Sequence, residues 1–357
     1  MSQRTTARPV QQGALAVRLE HEQVRVGDLA IAFHRTLRIP DDGRRYPLPP
    51  SLGHFPVCRV ADYVDRVPQG WLGHGGVFLP MYQREAMWLS FNPTKHWRPQ
   101  AVKVAVGMVN AISGEPWSQS IGPGEQDYLV CPPQPWLDGI KSEDGVIRQF
   151  VAMPLGMGYT VEGQLTGEER FGGIQLVVFD PKDGRFTVPV RRGGAQGFAP
   201  MFSKADASFG PVGEFAPMTS AGAEMGLAAG GRMEQKVYPD PYGPETWDNA
   251  RFGRVYVHIV NSMMFEEITG RRPPASPISA QTYTDYGYPW FALYDENLRD
   301  VEASDILAGV KSVKELDAEK GFGPQQDDST VGIPDASVVK YPAPESAETV
   351  QDGDWPR

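Results

Sequence analysis

Glycine and proline interrupt this chain more often than they interrupt an average protein, and this limits the length of any helix. There are 39 glycines and 33 prolines among 357 residues, about 20% of the chain against a usual share of about 12%. These two residues are the least favourable inside a helix. A long helical bundle is therefore not expected.

Short apolar runs that alternate with polar residues predict strands along much of the chain. In the run 101–106, Val102, Val104 and Val106 are expected to face a core while Lys103 points the other way. The run 174–179 precedes a turn sequence, so residues 185–190 are expected to return as the second strand of a hairpin. The other main strand candidates are 29–39, 55–60, 76–81, 86–91, 128–131, 149–153, 254–260 and 288–294.

Two helices are predicted from capping signals. Asn261 is expected to cap a short helix that Gly270 closes. A longer helix is expected to begin after Ser304 and to stop at Lys320 and Gly321.

These patterns predict a mainly β fold of antiparallel, sandwich-like sheets with a few short helices and long Gly/Pro-rich loops. Helix content places it at most at the margin of the α+β class. Composition predicts five regions. They are a flexible N-terminal arm (1–13), a β-rich region (14–190), an irregular Gly/Ala-rich excursion (191–250), a β/α region packing on the first (251–322) and an acidic, disordered tail (323–357).

The net charge and the length of the apolar runs indicate which partners and which cellular location to expect. With 34 basic and 44 acidic residues the net charge is -10, which disfavours binding to nucleic acid phosphates. No apolar run approaches the ~20 residues of a membrane span, and no signal peptide is visible. Cys58 and Cys131 are too few for a disulfide scaffold and are expected to be buried thiols. We therefore expect a cytoplasmic protein that binds neither nucleic acid nor membrane.

Motifs for common cofactors and metals are absent from the sequence. There is no P-loop, no dinucleotide-binding glycine motif, no nucleophile elbow and no HExxH zinc motif. His54 and Cys58 lie in an extended run and would stand roughly 13 Å apart, too far to share one ion. The sequence predicts no cofactor and no metal site.

Four residues are weak catalytic candidates: Glu85, Cys131, His258 and Asp295. A cysteine with a histidine base could act as a nucleophile, and carboxylates from different elements could work as an acid–base pair. The alternative interpretation is a structural histidine in a strand, a buried thiol and solvated acids near turns.

Arg84 and Glu85 interrupt an apolar and aromatic run at 80–88. Charges in such a run are costly unless they are paired or exposed. They indicate either a polar site at the edge of an aromatic pocket or a turn between strands with both charges in water.

Aromatic and glycine–arginine segments provide binding candidates. Tyr and Trp suit protein interfaces, although the segment 283–291 could also be a core-facing junction. The predicted binding residues are Tyr82, Arg84, Trp88, Tyr286, Tyr288, Trp290 and Tyr294. Arg191, Arg192 and Arg232 adjoin glycine pairs that could form an anion-binding nest, or they lie in flexible loops.

The leading hypothesis is a non-enzymatic binding or scaffold protein that contacts a protein partner, or itself, through its β edges and aromatic residues. The alternatives are a hydrolase with carboxylate or Cys/His catalysis in an aromatic-rimmed cleft, and an anion-binding module using Gly/Arg loops. An enzyme predicts that the catalytic candidates converge in one pocket with shifted pKa values. A scaffold predicts that they are scattered.

Overall fold

Strand pairing organises the computed structural model, which describes residues 15–187, 224–292, 299–323, 325 and 328–340. The strands are β1 (Val17–Glu20), β2 (Gln23–Val26), β3 (Leu29–Thr36), β4 (Arg45–Tyr46), β5 (Cys58–Arg59), β6 (Val77–Met81), β7 (Ala86–Pro93), β8 (Gln100–Val106), β9 (Val109–Asn110), β10 (Leu129–Cys131), β11 (Trp136–Leu137), β12 (Gly139–Glu143), β13 (Val146–Pro154), β14 (Ile174–Pro181), β15 (Glu224–Glu234), β16 (Trp247–Asn261), β17 (Trp290–Ala292) and β18 (Val338–Lys340). The helices are α1 (Gln69–His74), α2 (Val161–Thr166), α3 (Ser262–Thr269), α4 (Ala280–Asp285), α5 (Asp305–Ala308) and α6 (Val313–Glu319).

Sixteen of the strands in this part of the chain form one hydrogen-bonded sheet. Its main path runs β1-β2-β3-β7-β13-β15-β16-β14-β8-β10, with β4, β5, β6, β9, β11 and β12 paired at its flanks. The pairs are antiparallel except β4 with β15 and β6 with β16. A separate parallel pair joins β17 to β18. The prediction of a mainly β fold with antiparallel pairing and short helices is confirmed.

The sheet folds over so that its two halves share one hydrophobic core. Strands β3 and β8 are far apart along the hydrogen-bonded path, yet alternate side chains of both belong to the same buried cluster. These side chains are Leu29, Ile31 and Phe33 from β3 and Val102, Val104 and Val106 from β8. The packing is therefore sandwich-like, but one continuous sheet supplies both layers where the sequence predicts separate sheets.

Lys103 leaves the core side of β8, as its alternation predicts, but it does not reach solvent. Its side chain is buried, and Nζ lies 2.6 Å from Asp127 Oδ2 and donates to the Ser120 carbonyl at 2.9 Å. The outer face of the sheet is thus covered as well.

The prediction of an irregular excursion at 191–250 is wrong for residues 224–234, which form the long strand β15. A Cβ on Gly231 would lie 2.3 Å from the Pro40 carbonyl oxygen, and one on Gly230 would lie 2.6 Å from Val151 Cγ2. These glycines allow close approach of neighbouring chain segments, whereas their sequence alone suggests a loop. Residues 188–223 lie outside the described part of the chain.

Two local predictions are corrected and one is confirmed. Residues 185–187 form no strand, because β14 pairs with β8 and β16 instead; residues 188–190 are not described. The predicted helix after Ser304 is two helices, α5 and α6, and Ser312 forms a capping box with Glu315 at the start of α6. Helix α3 is capped by Asn261 and closed by Gly270, as predicted.

The prediction of a disordered tail from residue 323 is wrong for 328–340. Asp328 is buried and pairs with Arg38 at 2.9 Å and Arg84 at 3.3 Å, and β18 pairs with β17. The acidic composition of the tail predicts that Asp328 is solvated, whereas in the structure its carboxylate is an internal ion-pair partner. The predicted arm at 1–13 and residues 341–357 lie outside the described residues, and the division into domains stays a prediction.

We expect Gly231→Ala to lower the free energy of unfolding by about 2 kcal/mol, because its Cβ would overlap backbone that cannot rotate away. Gly73→Ala is the control, since nothing lies within 4 Å of its Cβ position in α1 and alanine favours helix. Urea denaturation measures both. Equal stability of the two variants would contradict the close approach of β15 to the Pro40 segment.

Candidate functional site

A cleft lined by aromatic and proline residues lies on the outer face of the sheet, where β3, β7 and β11 adjoin. Its volume is about 30 Å³. We call it the aromatic cleft; its lining residues are Leu48, Pro49, Pro50, Ser51, Trp88, Trp136, Asp138, Phe291 and Ala292.

Strand alternation places the cleft residues of β7 on the outer face. Leu89 and Phe91 belong to the inner core, so Trp88 and Ser90 point the opposite way. In the register of the sheet, Trp88 lies opposite His34 on β3, and Ser90 lies opposite Trp136 on β11.

The segment that follows β4 closes the cleft from the other side. Leu48 and Phe291 exchange two backbone hydrogen bonds, at 2.7 and 3.0 Å. The cleft is therefore built from four parts of the chain that are distant in sequence.

Two tryptophans meet at a steep angle in the cleft. The ring centroids of Trp88 and Trp136 are 6.4 Å apart, with 70° between the ring planes. His34 stacks flat on Trp88 with centroids 3.7 Å apart. One face of Trp88 is thus covered by this imidazole.

His34 is held between two serine hydroxyls. Its Nδ1 is hydrogen-bonded to Ser51 Oγ at 2.9 Å and its Nε2 to Ser90 Oγ at 2.8 Å. Burial, with a smaller contribution from nearby His54, lowers the pKa of His34 to about 3. The imidazole is therefore neutral near pH 7.

Asp138 is a buried acid in the cleft wall, with 3% of its surface exposed. Gln235 Nε2 donates to its Oδ2 at 2.7 Å, and the Asp138 backbone N–H donates to Gln235 Oε1 at 3.1 Å. Burial raises the pKa of Asp138 to about 7, and the Gln235 hydrogen bond opposes this only in part. Within the described residues, no donor meets the other carboxylate oxygen, Oδ1.

Glu85 and Arg84, which the sequence places either at a pocket edge or in water, are both engaged in ion pairs. Glu85 is buried, lies 2.7 Å from an Arg35 guanidinium nitrogen and accepts from the Tyr82 N–H at 2.9 Å. Arg84 has a left-handed backbone with φ of 70° and lies 2.6 Å from Asp317. The alternative with both charges in water is wrong, because both side chains anchor other segments.

The remaining catalytic candidates have separate surroundings. Cys131 is fully buried in the inner core, and burial raises the pKa of its thiol well above the usual value. His258 stacks on Trp71 at 4.4 Å and on Tyr256 at 4.2 Å, and burial lowers its pKa to about 3. No contact joins Glu85, Cys131 and His258 in the part of the chain that is described, and Asp295 lies outside it.

The predicted aromatic binding residues divide into exposed and buried groups. Tyr286 is 62% exposed and Tyr288 is 39% exposed, and their ring centroids are 5.8 Å apart. We call these two the tyrosine pair. Trp290 is fully buried. Tyr82 is half-buried, and its hydroxyl donates to the Pro274 carbonyl at 3.0 Å.

The tyrosine pair and the aromatic cleft rest on the same hydrophobic cluster. Tyr283 belongs to this cluster and its ring lies 5.1 Å from that of Tyr288. Trp136 and Phe291 of the cleft pack against the same cluster. Together the cleft and the tyrosine pair form what we call the aromatic surface. Tyr294 lies outside the described residues.

The glycine–arginine segment at 230–232 is strand, so its interpretation as a loop nest is wrong. Arg232 lies in β15, 3.0 Å from Glu143. Arg191 and Arg192 lie outside the described residues.

No group of three or more His, Cys, Asp or Glu side chains in the described part of the chain could hold a metal ion. No described helix is long and apolar enough to cross a membrane.

Five residues of the cleft and its surroundings are not indicated by the sequence patterns: Ser51, His34, Trp136, Asp138 and Gln235. Alternation in β3 and β7 could have placed His34 and Trp88 on one face. The pairing of those strands with β11 and with the Leu48–Ser51 segment is long-range, and no local pattern indicates it.

Comparison with protein-family models, curated proteins and solved structures finds no match to this chain.

Asp138→Asn should change how stability depends on pH. The native pKa is about 7, above the ordinary value of 3.8, so between those values the native state binds more protons than the unfolded chain. The contribution of Asp138 to stability is therefore present at low pH and is lost as pH rises through this window. The neutral amide removes that loss.

Urea denaturation at several pH values tests this prediction. The stability of Asp138→Asn relative to the parent should rise from pH 4 to 7 and then level off. Asp65→Asn is the matched control, because Asp65 is exposed. A difference between Asp138→Asn and the parent that is constant with pH would contradict the raised pKa.

Proposed function

We propose that this chain is a non-catalytic binding protein that contacts a partner polypeptide through the aromatic surface. The observation that carries the proposal is the aromatic cleft, with two tryptophans in its wall and the exposed tyrosine pair on the same cluster. Tryptophan and tyrosine are the residue types that contribute most to binding energy at protein interfaces.

The size of the cleft supports binding of a side chain over binding of a whole substrate. Small-molecule sites usually enclose about 300–1,000 Å³, whereas this cleft encloses about 30 Å³. One water needs about 10–15 Å³ by the same kind of measure. The cleft therefore has room for the end of one side chain.

The scatter of the catalytic candidates also supports binding. Glu85 is ion-paired with Arg35, Cys131 is buried in the core, and His258 is stacked on Trp71. None of these three residues lines the aromatic cleft.

Net charge and thiol chemistry support a protein partner and a cytoplasmic location. The net charge of -10 favours a protein partner over nucleic acid. We place the protein in the cytoplasm, where the free thiols of Cys58 and Cys131 would stay reduced. A second copy of this chain is one candidate partner.

Selection of peptides from a random display library tests the proposal. Enriched peptides should bind the purified protein, and Trp136→Ala and Tyr288→Ala should each weaken that binding about tenfold or more. Tyr242→Ala is the control, because Tyr242 is also exposed (40%) but its ring meets that of Trp247 edge to face, away from this cluster.

Melting temperatures of all variants separate lost contacts from lost fold, and Trp136→Phe provides a milder change at the same position. Peptides that bind Trp136→Ala and the parent equally, or a failure to enrich any peptide, would overturn the proposed function.

Hydrolysis is a second candidate function, favoured by the hydrogen bonds that link Ser51, His34 and Ser90. A serine in reach of a histidine that a third group orients is the arrangement of an activated nucleophile. Ser51 also lines the aromatic cleft. Against this candidate, the pKa of about 3 makes His34 a weak base.

Ester hydrolysis distinguishes the two functions. A hydrolase would cleave p-nitrophenyl acetate at least about a hundredfold faster than Ser51→Ala does, whereas a binding protein gives equal rates. Ser118→Ala, at an exposed serine, controls for loss of a hydroxyl alone. We expect the parent and both variants to give the same rate.

A further inference from the structure

We infer that a second pocket, between the base of the β1–β2 hairpin and the end of β14, binds a small aliphatic carboxylate through Arg18 and Arg25. We call it the hairpin pocket. It encloses about 230 Å³, and its lining residues are Leu15, Ala16, Arg18, Arg25, Gly27, Asp28 and Asp180. It shares no lining residue with the aromatic cleft, so the inference is independent of the proposed function.

The two arginines lie side by side on one face of the hairpin. Arg18 and Arg25 are directly opposite each other in the antiparallel pairing of β1 with β2, so their side chains leave the same face. Val24 and Val26 of β2 belong to the inner core, which places both arginines on the outer face. Like charges directly opposite each other destabilise a strand pair, and an anion between them would remove this repulsion.

Most donors of these two guanidinium groups have no acceptor. Arg25 Nε donates to Glu20 Oε2 at 2.7 Å, and this is the only hydrogen bond that the Arg25 guanidinium forms with described residues. Arg18 is exposed and forms no hydrogen bond or ion pair with the part of the chain that the structure describes. A guanidinium group presents its donors as a planar fork that fits the two oxygens of a carboxylate. The two side chains therefore offer a bidentate site to an oxyanion.

The two acidic residues of the hairpin pocket are paired with other cations and leave these donors available. Asp180 is buried and lies 2.9 Å from Arg98 and 3.1 Å from Arg251. Asp28 lies 2.9 Å from Lys95 and 3.7 Å from Arg98.

The charge around the hairpin pocket favours a carboxylate over a phosphate. The charged lining residues and the ion pairs attached to them comprise five basic side chains (Arg18, Arg25, Lys95, Arg98 and Arg251) and four acidic ones (Glu20, Asp28, Asp180 and Asp183). One positive charge is therefore in excess, which matches a carboxylate. A phosphate monoester carries a charge of about −1.5 to −2 near pH 7.

The size and the apolar wall of the hairpin pocket favour a short alkyl chain on the carboxylate. Leu15 and Ala16 line the pocket together with the arginines. Its volume of about 230 Å³ is below the range of about 300–1,000 Å³ that is usual for drug-sized ligands. Butyrate is therefore a suitable probe of this class.

Titrations of the ¹⁵N-labelled full chain with butyrate and with its neutral analogue butyramide test the inference. The backbone N–H resonance of Gly27, which lines the pocket, reports binding. Butyrate should bind about tenfold or more tightly than butyramide, because only the carboxylate forms charge-assisted hydrogen bonds with arginine. Acetate should bind several-fold more weakly than butyrate, because it lacks methylene groups that would contact Leu15 and Ala16. Chloride is the background anion, at one ionic strength throughout.

Arg18→Gln should weaken butyrate binding about tenfold or more, and Arg18→Lys should weaken it less, because lysine keeps the charge without the planar fork. Arg44→Gln is the matched control, since Arg44 is exposed and does not line the pocket. Equal melting temperatures of the parent and the variants exclude unfolding as the cause of weaker binding.

Four results would each overturn the inference. They are no shift of the Gly27 resonance with butyrate, equal affinity for butyrate and butyramide, acetate binding as tight as butyrate binding, and equal butyrate affinity of Arg18→Gln and the parent. Tighter binding of inorganic phosphate than of butyrate would also overturn it, because the pocket would then select another class of anion.

Discussion

Strands β3, β8, β13 and β14 of the large sheet are buried along their whole length, so polar side chains on the outer face of these strands must find partners inside the protein. Lys141 is fully buried, and its ammonium group lies 2.6 Å from Asp300. Glu85 and Arg35 satisfy each other in the same way. Removing one member of such a pair leaves an uncompensated buried charge, which typically costs about 3–5 kcal/mol. The segments that cover the sheet are therefore held in register by charge as well as by apolar contact.

The covering segments determine where the aromatic cleft can form. Asp300, Asp317 and Asp328 come from the C-terminal part of the chain, and each meets a lysine or arginine of the sheet or of its loops. Strand β18 also pairs with β17, and the backbone of Phe291 in β17 is hydrogen-bonded to that of Leu48. The cleft lies where this cover is incomplete, between the outer face of β7 and the Leu48–Phe291 contact.

Sequence patterns predict the inner face of the sheet well and its outer face poorly. Alternation in β8 places its valines in the core, and the caps of α3 are local, so both could be read from the chain. Strand β15 was missed because its glycines also suit a loop, and only the nearby Pro40 backbone explains them. Asp328 looked like a solvated acid because its partners are distant in sequence. The cleft was missed for the same reason, since long-range pairing brings Trp136 and Asp138 to Trp88.

The position of β16 in the sheet has a consequence for synthesis on the ribosome. This strand pairs with β14, β15 and β6, and with β15 it joins the two halves of the sheet. It follows all the other strands of the large sheet in sequence, so those strands are made before the halves can be joined. Until then, β14 and β15 each lack one neighbouring strand, and unpaired edges of this kind invite association between chains. A nascent chain of this topology thus depends on shielding of those edges during translation.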